Sequence, residues 1–221
     1  MNVIEHFLSL QGEGRDVGVP AYFFRLAGCD VHCPWCDTKE SWNKENGEEI
    51  SLASAVNLIN ELTPSSGICV ITGGEPFLHG QELAELLYSV NDKIKIRIET
   101  SASCEDYIGH NHYSLPKNVS LNISPKEAKP AIADYWVHNK VNEFRFAVDK
   151  KGEQNISWLS KFLSVYKTSM LKATKRIYVS PVIHGNINNP ENKDWINEVA
   201  DFCMSNGLRF SLQMHKVLGI K

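Results

Sequence analysis

Three cysteines of this 221-residue chain stand within eight positions of one another, where residues 28–38 read GCDVHCPWCDT. The spacing of Cys29, Cys33 and Cys36 is C-x3-C-x2-C. Thiolates this close can all reach one compact inorganic centre, and Gly28 and Pro34 help the backbone wrap around it. A four-iron cluster with a purely structural role takes four cysteine ligands. Three ligands leave one iron open to a substrate or cosubstrate, by the logic that separates catalytic zinc sites from closed ones. The other centre the spacing admits is zinc held by the three thiols and His32. Against it, His32 directly precedes Cys33, which makes joint tetrahedral ligation awkward.

A second stretch, TGGEPF at 72–77, follows the apolar run ICVI. Its paired glycines tolerate φ > 0 and bare the backbone, so main-chain groups can approach a ligand; taken alone it is an ordinary strand-to-helix turn. Arg25 lies just ahead of the cysteine loop, where a guanidinium suits a bidentate grip on a carboxylate. Glu99 and Thr100 close a further apolar run, and Gln213 and His215 lie near the C-terminus. A histidine such as His215 is more often structural than a catalytic base, and no acid or base is assigned.

The elements that must position these residues read as strands at 21–28, 68–72, 94–100, 119–124, 143–148, 176–182 and 209–214. Helical periodicity marks 51–62, with Ser51 as N-cap, and also 81–90, 156–166 and 195–203. Strand–helix alternation favours a parallel sheet with right-handed crossovers. Six or seven strands are too few for a closed eight-stranded barrel, so an incomplete barrel or an open sheet is expected. The connections after 100 and after 124 carry Gly109, Pro116, Pro125 and Pro130 and offer only short helical stretches. The cysteine loop falls at the C-terminal end of a strand, where parallel α/β folds build their sites. No composition break or repeat divides the chain, so 1–221 reads as one domain.

Composition narrows the destinations. With 23 basic and 26 acidic side chains the formal charge is -3, without the basic excess of a phosphate-backbone binder. No apolar run approaches the roughly 18 residues of a membrane span. The opening MNVIEHFLSLQGEG lacks the pattern of a secretion signal, so a reducing cytoplasmic setting is expected. Cys69, Cys104 and Cys203 lie in apolar surroundings and read as small buried hydrophobes.

The cysteine spacing, Trp35 just before the last cysteine, and the GGEP turn together resemble the radical S-adenosylmethionine (SAM) superfamily. The resemblance implies a [4Fe–4S] cluster on Cys29, Cys33 and Cys36 whose open iron binds SAM. One electron from it then cleaves the sulfonium to methionine and a 5′-deoxyadenosyl radical. Further blocks narrow the match: SLQGEG (9–14), GVPAYFFRLAGC (18–29), CDT (36–38), Trp42, SPK (124–126) and QMHK (213–216) resemble the 7-carboxy-7-deazaguanine synthase family. These blocks run from residue 9 to residue 216. The fold this implies is α/β, a reduced radical SAM partial barrel of about six parallel core strands and few regular helices.

The same resemblance implies a reaction and its residues. It converts 6-carboxy-5,6,7,8-tetrahydropterin to 7-carboxy-7-deazaguanine with loss of ammonia, on the route to queuosine. Substrate contacts carry over to Leu10, Gln11, Gly12, Arg25, Thr72, Gln213, His215 and the C-terminal Lys221. SAM contacts carry over to Trp35, Cys36, Asp37, Gly73, Gly74, Glu75, Ser124, Pro125 and Lys126, and Mg2+ to Thr38. Family members often continue after the equivalent of Thr100 with Asn-Gly, where this chain has Ser101-Ala102. A flavodoxin-like or ferredoxin-like one-electron reductant and a homodimer are further implied, with neither nucleic acid nor membrane as partner. The rivals are a glycyl-radical enzyme activase, which shares the cysteine loop and GGEP turn, and a non-catalytic Fe–S or zinc module.

Overall fold

The structure is a computed structural model, and residues 1–104, 115–126 and 141–220 are described. Nine strands form one sheet in the order β3-β1-β2-β4-β5-β6-β7-β8-β9. They are β1 (Asn2–Leu10), β2 (Pro20–Leu26), β3 (Glu48–Glu49), β4 (Ile68–Gly73), β5 (Ile96–Thr100), β6 (Val119–Ile123), β7 (Val141–Val148), β8 (Ile177–Pro181) and β9 (Arg209–Phe210). From β2 to β9 every pairing is parallel, whereas β1 runs antiparallel to both its neighbours. Six substantial parallel strands, β2 and β4 to β8, form the expected incomplete barrel.

Strands β4 and β8 read as mostly apolar runs because both faces are covered, as parallel sheets require, whereas β5 to β7 alternate apolar with polar residues. All five residues of β8 are buried, as are five of six in β4. The core joins Phe24 and Ile71 to Ile98, Leu121, Phe146 and Leu159. Outside the sheet lie α1 (Leu52–Leu62), α2 (Gly80–Ser89), α3 (Ile156–Ala173) and α4 (Pro190–Asn206). Ser51 caps α1 by accepting from the Ser54 amide at 3.1 Å, as the sequence suggests. Helix α4 starts earlier than its apolar stripe, because Asn189 caps it and Pro190 fills the first position.

Three expectations are corrected. The strand β1 is absent from the periodicity reading. It is an outer strand whose residues are mostly half-buried or exposed, so Glu5, His6 and Ser9 interrupt the apolar signal. Residues 209–214 are not one strand. Pairing with β8 ends at Phe210, the Met214 amide donates to the Gly12 carbonyl at 2.9 Å, and a short helix α5 (Met214–Leu218) follows. Cys69 and Cys203 are buried as expected, but Cys104 is only half-buried and its thiol lies 3.9 Å from Asp30 Oδ2. Most of the connections after Thr100 and Ser124, with Gly109 and Pro130, fall outside the described residues, as does Lys221.

Candidate active site

A cavity of about 290 Å3 opens at the C-terminal ends of the parallel strands. Cys29, Cys33 and Cys36 all line it, on the loop that leaves β2. Two main-chain bonds from the segment after the loop fix its start: Gly28 N–H to Ser41 O at 2.8 Å and Cys29 N–H to Trp42 O at 3.0 Å. The Cys36 amide donates to Cys33 O at 2.9 Å, and the Val31 amide points at Cys29 Sγ at 3.4 Å. Burial pushes the Cys33 thiol up, the Lys126 ammonium opposes that, and the neighbouring Cys29 and Cys36 add to it. A cluster held by these thiolates would supply positive charge that offsets that mutual repulsion.

Among the described residues no three His, Cys, Asp or Glu side chains gather tightly enough for a single metal ion. Cys29, Cys33 and Cys36 all line the cavity and would hold a four-iron cube with one iron left without a protein ligand. His32, zinc's fourth ligand in the alternative reading, packs its ring on Trp42 at 4.9 Å and does not line the cavity.

The glycine turn is shaped by the cysteine loop. Gly73 has φ of +147°, and the Gly74 amide donates to Leu26 O at 3.1 Å. A side chain on Gly74 would run into the Gly28 carbonyl and the Cys29 Cβ. The glycines therefore let turn and loop close on each other, a role beyond baring the backbone to a ligand. Gly73, Gly74 and Thr72 line the cavity, as do Ser124 and Lys126.

Glu75 is different. It is 1% exposed and is not among the lining residues. Its carboxyl takes the Thr100 hydroxyl at 2.7 Å, the Phe77 amide at 3.2 Å and the Ser101 amide at 2.8 Å. The turn is thus fastened to the end of β5. Pro125 does not line the cavity either.

Leu10, Gln11, Gly12, Arg25, Gln213 and His215 are brought together on the same cavity. Arg25 Nε bonds Glu5 Oε1 at 3.0 Å, which aims the guanidinium from a fixed base. Gln11 donates to Glu99 Oε1 at 3.1 Å. The C-terminal segment is strapped across the mouth. Gln213 donates to Glu13 Oε1 at 2.7 Å, and Lys216 pairs with Asp37 Oδ2 at 3.2 Å. Burial opposes ionisation of Asp37, yet Lys216, with help from Arg25 and Thr38, holds its carboxyl below the ordinary value. Trp35, Cys36 and Asp37 line the cavity but Thr38 does not. The Thr38 hydroxyl donates to Asp37 Oδ1 at 3.2 Å.

Sequence reasoning missed the charged floor. Arg145, 6% exposed, ion-pairs with Glu143, with Glu99 at 3.0 Å and with Glu13 at 3.4 Å. Burial opposes the guanidinium's charge, but the carboxylates of Glu99, Glu143 and Glu13 outweigh it and push the pKa up. Burial would also raise Glu99; Arg145, the Gln11 amide and Arg25 outweigh it and hold that carboxyl low. The signal was present in EFRFAV, since Glu143 and Arg145 sit two apart on one face of an otherwise apolar strand. Arg145 Nη2, Asn122 Nδ2 and Ser180 Oγ are buried without a hydrogen-bond partner among the described residues, and all three residues line the cavity. Buried polar atoms are normally satisfied, so such orphans fit a site completed by a polar ligand.

Comparison with known proteins bears on this cavity. A family described as a 4Fe-4S single cluster domain matches residues 10–118. A 7-carboxy-7-deazaguanine synthase from Synechocystis sp. is 31% identical over 224 residues, covering 99% of this chain and 93% of its own. The chain belongs to the 7-carboxy-7-deazaguanine synthase family. The family member from Aquifex aeolicus is 32% identical over 156 residues, 69% of this chain and 67% of its own. The crystal structure of QueE from Escherichia coli superposes with a TM-score of 0.71 at 26% identity, covering 97% of this chain and 94% of that one. The likenesses to the Synechocystis enzyme and to QueE span nearly the full length and favour the synthase family over a glycyl-radical activase or a bare Fe–S module.

Proposed function

We propose that this chain is a radical SAM enzyme that converts 6-carboxy-5,6,7,8-tetrahydropterin to 7-carboxy-7-deazaguanine, with a [4Fe–4S] cluster and SAM as cofactors. Family membership carries this reading, and the residues gathered on the cavity support it. The conversion is redox-neutral overall: substrate less ammonia equals product, so no external oxidant is consumed. Cys29, Cys33 and Cys36 would hold the cluster, and Gly73, Gly74, Ser124 and Lys126 the SAM. When bound, these cofactors supply one-electron reduction of the sulfonium and hence abstraction of a hydrogen atom from the substrate.

The chain's own residues bind and orient. Arg25, braced by Glu5 at 3.0 Å, grips the pterin carboxylate. Gln11 and the ionised Glu99 present an amide and an acceptor to the heterocycle's polar edge. The Gly12 loop and the α5 segment with His215 exclude water. The same proposal extends to a single domain over 1–221, a homodimer, a flavodoxin-like or ferredoxin-like reductant and a cytoplasmic setting. Among the described residues no helix is long and apolar enough to cross a membrane.

The binding test compares 6-carboxytetrahydropterin with a tetrahydropterin that lacks the carboxylate. Charge-assisted hydrogen bonds contribute about 1.5–3 kcal/mol, so Arg25→Gln should raise KM for the carboxylated substrate about 10- to 100-fold. Equal affinity of wild-type protein for the two pterins would overturn the role given to Arg25.

A further inference from the structure

We infer that Ser101 and Ser103 are positioning residues whose hydroxyls splice the SAM-holding turn to the cysteine loop and so set how firmly SAM sits against the cluster. The inference rests on the cofactor reading above and adds to it two residues of the loop after β5.

The splice is continuous. Ser101 Oγ lies 2.6 Å from Glu75 Oε2, at the end of the glycine turn. It also lies 2.8 Å from Ser103 Oγ. Ser103 Oγ in turn lies 2.7 Å from Asp30 Oδ1, on the residue next to Cys29. Three oxygen–oxygen contacts follow in series, while the two serines supply only two hydroxyl protons. The Ser101 hydroxyl donates to Glu75 Oε2 with Ser103 Oγ as a second acceptor, and the Ser103 hydroxyl donates to Asp30 Oδ1. Burial pushes the Glu75 carboxyl up, against the hydrogen bonds from Ser101, Thr100 and Phe77 that favour ionisation.

The backbone is bent to make this possible. Ala102, between the two serines, has φ of +55° and is 2% exposed. An L-residue there costs of order 1 kcal/mol, and such conformations persist only where the surroundings fix them. The Ala102 amide donates to Thr100 Oγ1 at 2.9 Å, and that same hydroxyl donates to Glu75 Oε1. The reversal brings the hydroxyls of residues 101 and 103 within hydrogen-bond reach of each other. Turn and cysteine loop already touch through Glu75 N–H to Gly28 O at 2.8 Å. The serines add a second tie on the side-chain level, at the residue beside the first cluster ligand.

The test uses full-length protein reconstituted anaerobically, with Ser103→Ala and Ser103→Thr beside wild type. Iron and sulfide content are measured first, then SAM affinity by equilibrium dialysis. The change that SAM causes in the electron paramagnetic resonance spectrum of the reduced cluster is recorded as well. Ser103→Ala should keep its cluster, bind SAM about tenfold more weakly and give a broadened SAM-dependent spectrum. Ser103→Thr, which keeps the hydroxyl, should restore both. Unchanged SAM affinity in a cluster-loaded Ser103→Ala protein overturns the inference, and so does failure of threonine to rescue. Loss of the cluster itself in Ser103→Ala also overturns it, since the hydroxyl would then serve only to build the loop. None of these readouts needs the pterin. Wild-type protein that binds SAM yet leaves the pterin untouched would sink the substrate reading while leaving this one standing.

Discussion

Replacing Arg145 with methionine should destabilise the cluster-free protein by about 3–5 kcal/mol, the usual result of removing one partner from a buried charged group. The side chain is enclosed by Glu143, Glu99 and Glu13, and methionine would leave three carboxylates near one another without their cation. Each retained charge then faces desolvation and like-charge repulsion together. Urea unfolding measures the effect as a lower midpoint at unchanged slope. The deficit should depend on pH with a definite sign. In the wild type Glu99 is held below its ordinary value. Its stabilising contribution is therefore full above the unfolded carboxylate pKa of about 4.3 and is lost as pH falls through the lower folded value. In the variant the unpaired carboxyls are pushed up, so protonation relieves them and stability rises as pH falls. The two proteins should converge in acid. A deficit below about 1 kcal/mol, or one independent of pH, contradicts the buried-charge account.

Cys33→Ala should have the opposite profile, with chemistry lost and fold retained. Cys33 sits on a loop and is only half-buried, so the cluster-free variant should melt within about 0.5 kcal/mol of wild type. After reconstitution it should lack the cluster's visible absorbance and bound iron, and turnover should fall below detection. Two remaining thiols cannot complete a three-cysteine site. Full cluster content in this variant would show that the ligands have been misassigned. Set side by side, the two variants separate the residues that hold the cavity's shape from those that hold its reactive centre.

How much of this was legible in the sequence depends on the range of each interaction. The cysteine spacing and the glycine turn are local, and both lie where the sequence placed them. Strands β4 and β8 announced themselves because burial on two faces makes them mostly apolar, and β5 to β7 because apolar residues alternate with Arg97 and Glu99, Ser120 and Asn122, and Glu143 and Arg145. Strand β1 did not, since one covered face leaves polar residues along its length. The charged floor was out of reach for another reason. Gln11 meets Glu99 across 88 positions, Arg145 meets Glu13 across 132, and Gln213 meets Glu13 across 200. No window of the sequence contains those pairs, although Glu143 and Arg145 within β7 hinted at them. Glu75 shows a subtler miss. Its place in the glycine turn is local, but its carboxyl turns inward to Thr100 and Ser101 rather than to the cavity. Helix α5 is likewise set by a distant acceptor, the Gly12 carbonyl.

The central claim is tested most directly by turnover of the defined substrate. The protein is prepared anaerobically, loaded with iron and sulfide, and supplied with SAM, a one-electron reductant, Mg2+ and 6-carboxytetrahydropterin. The account predicts formation of 7-carboxy-7-deazaguanine and release of one ammonia per product, both absent when the cluster or SAM is withheld. A fully loaded cluster that cleaves SAM but yields no 7-carboxy-7-deazaguanine would contradict it.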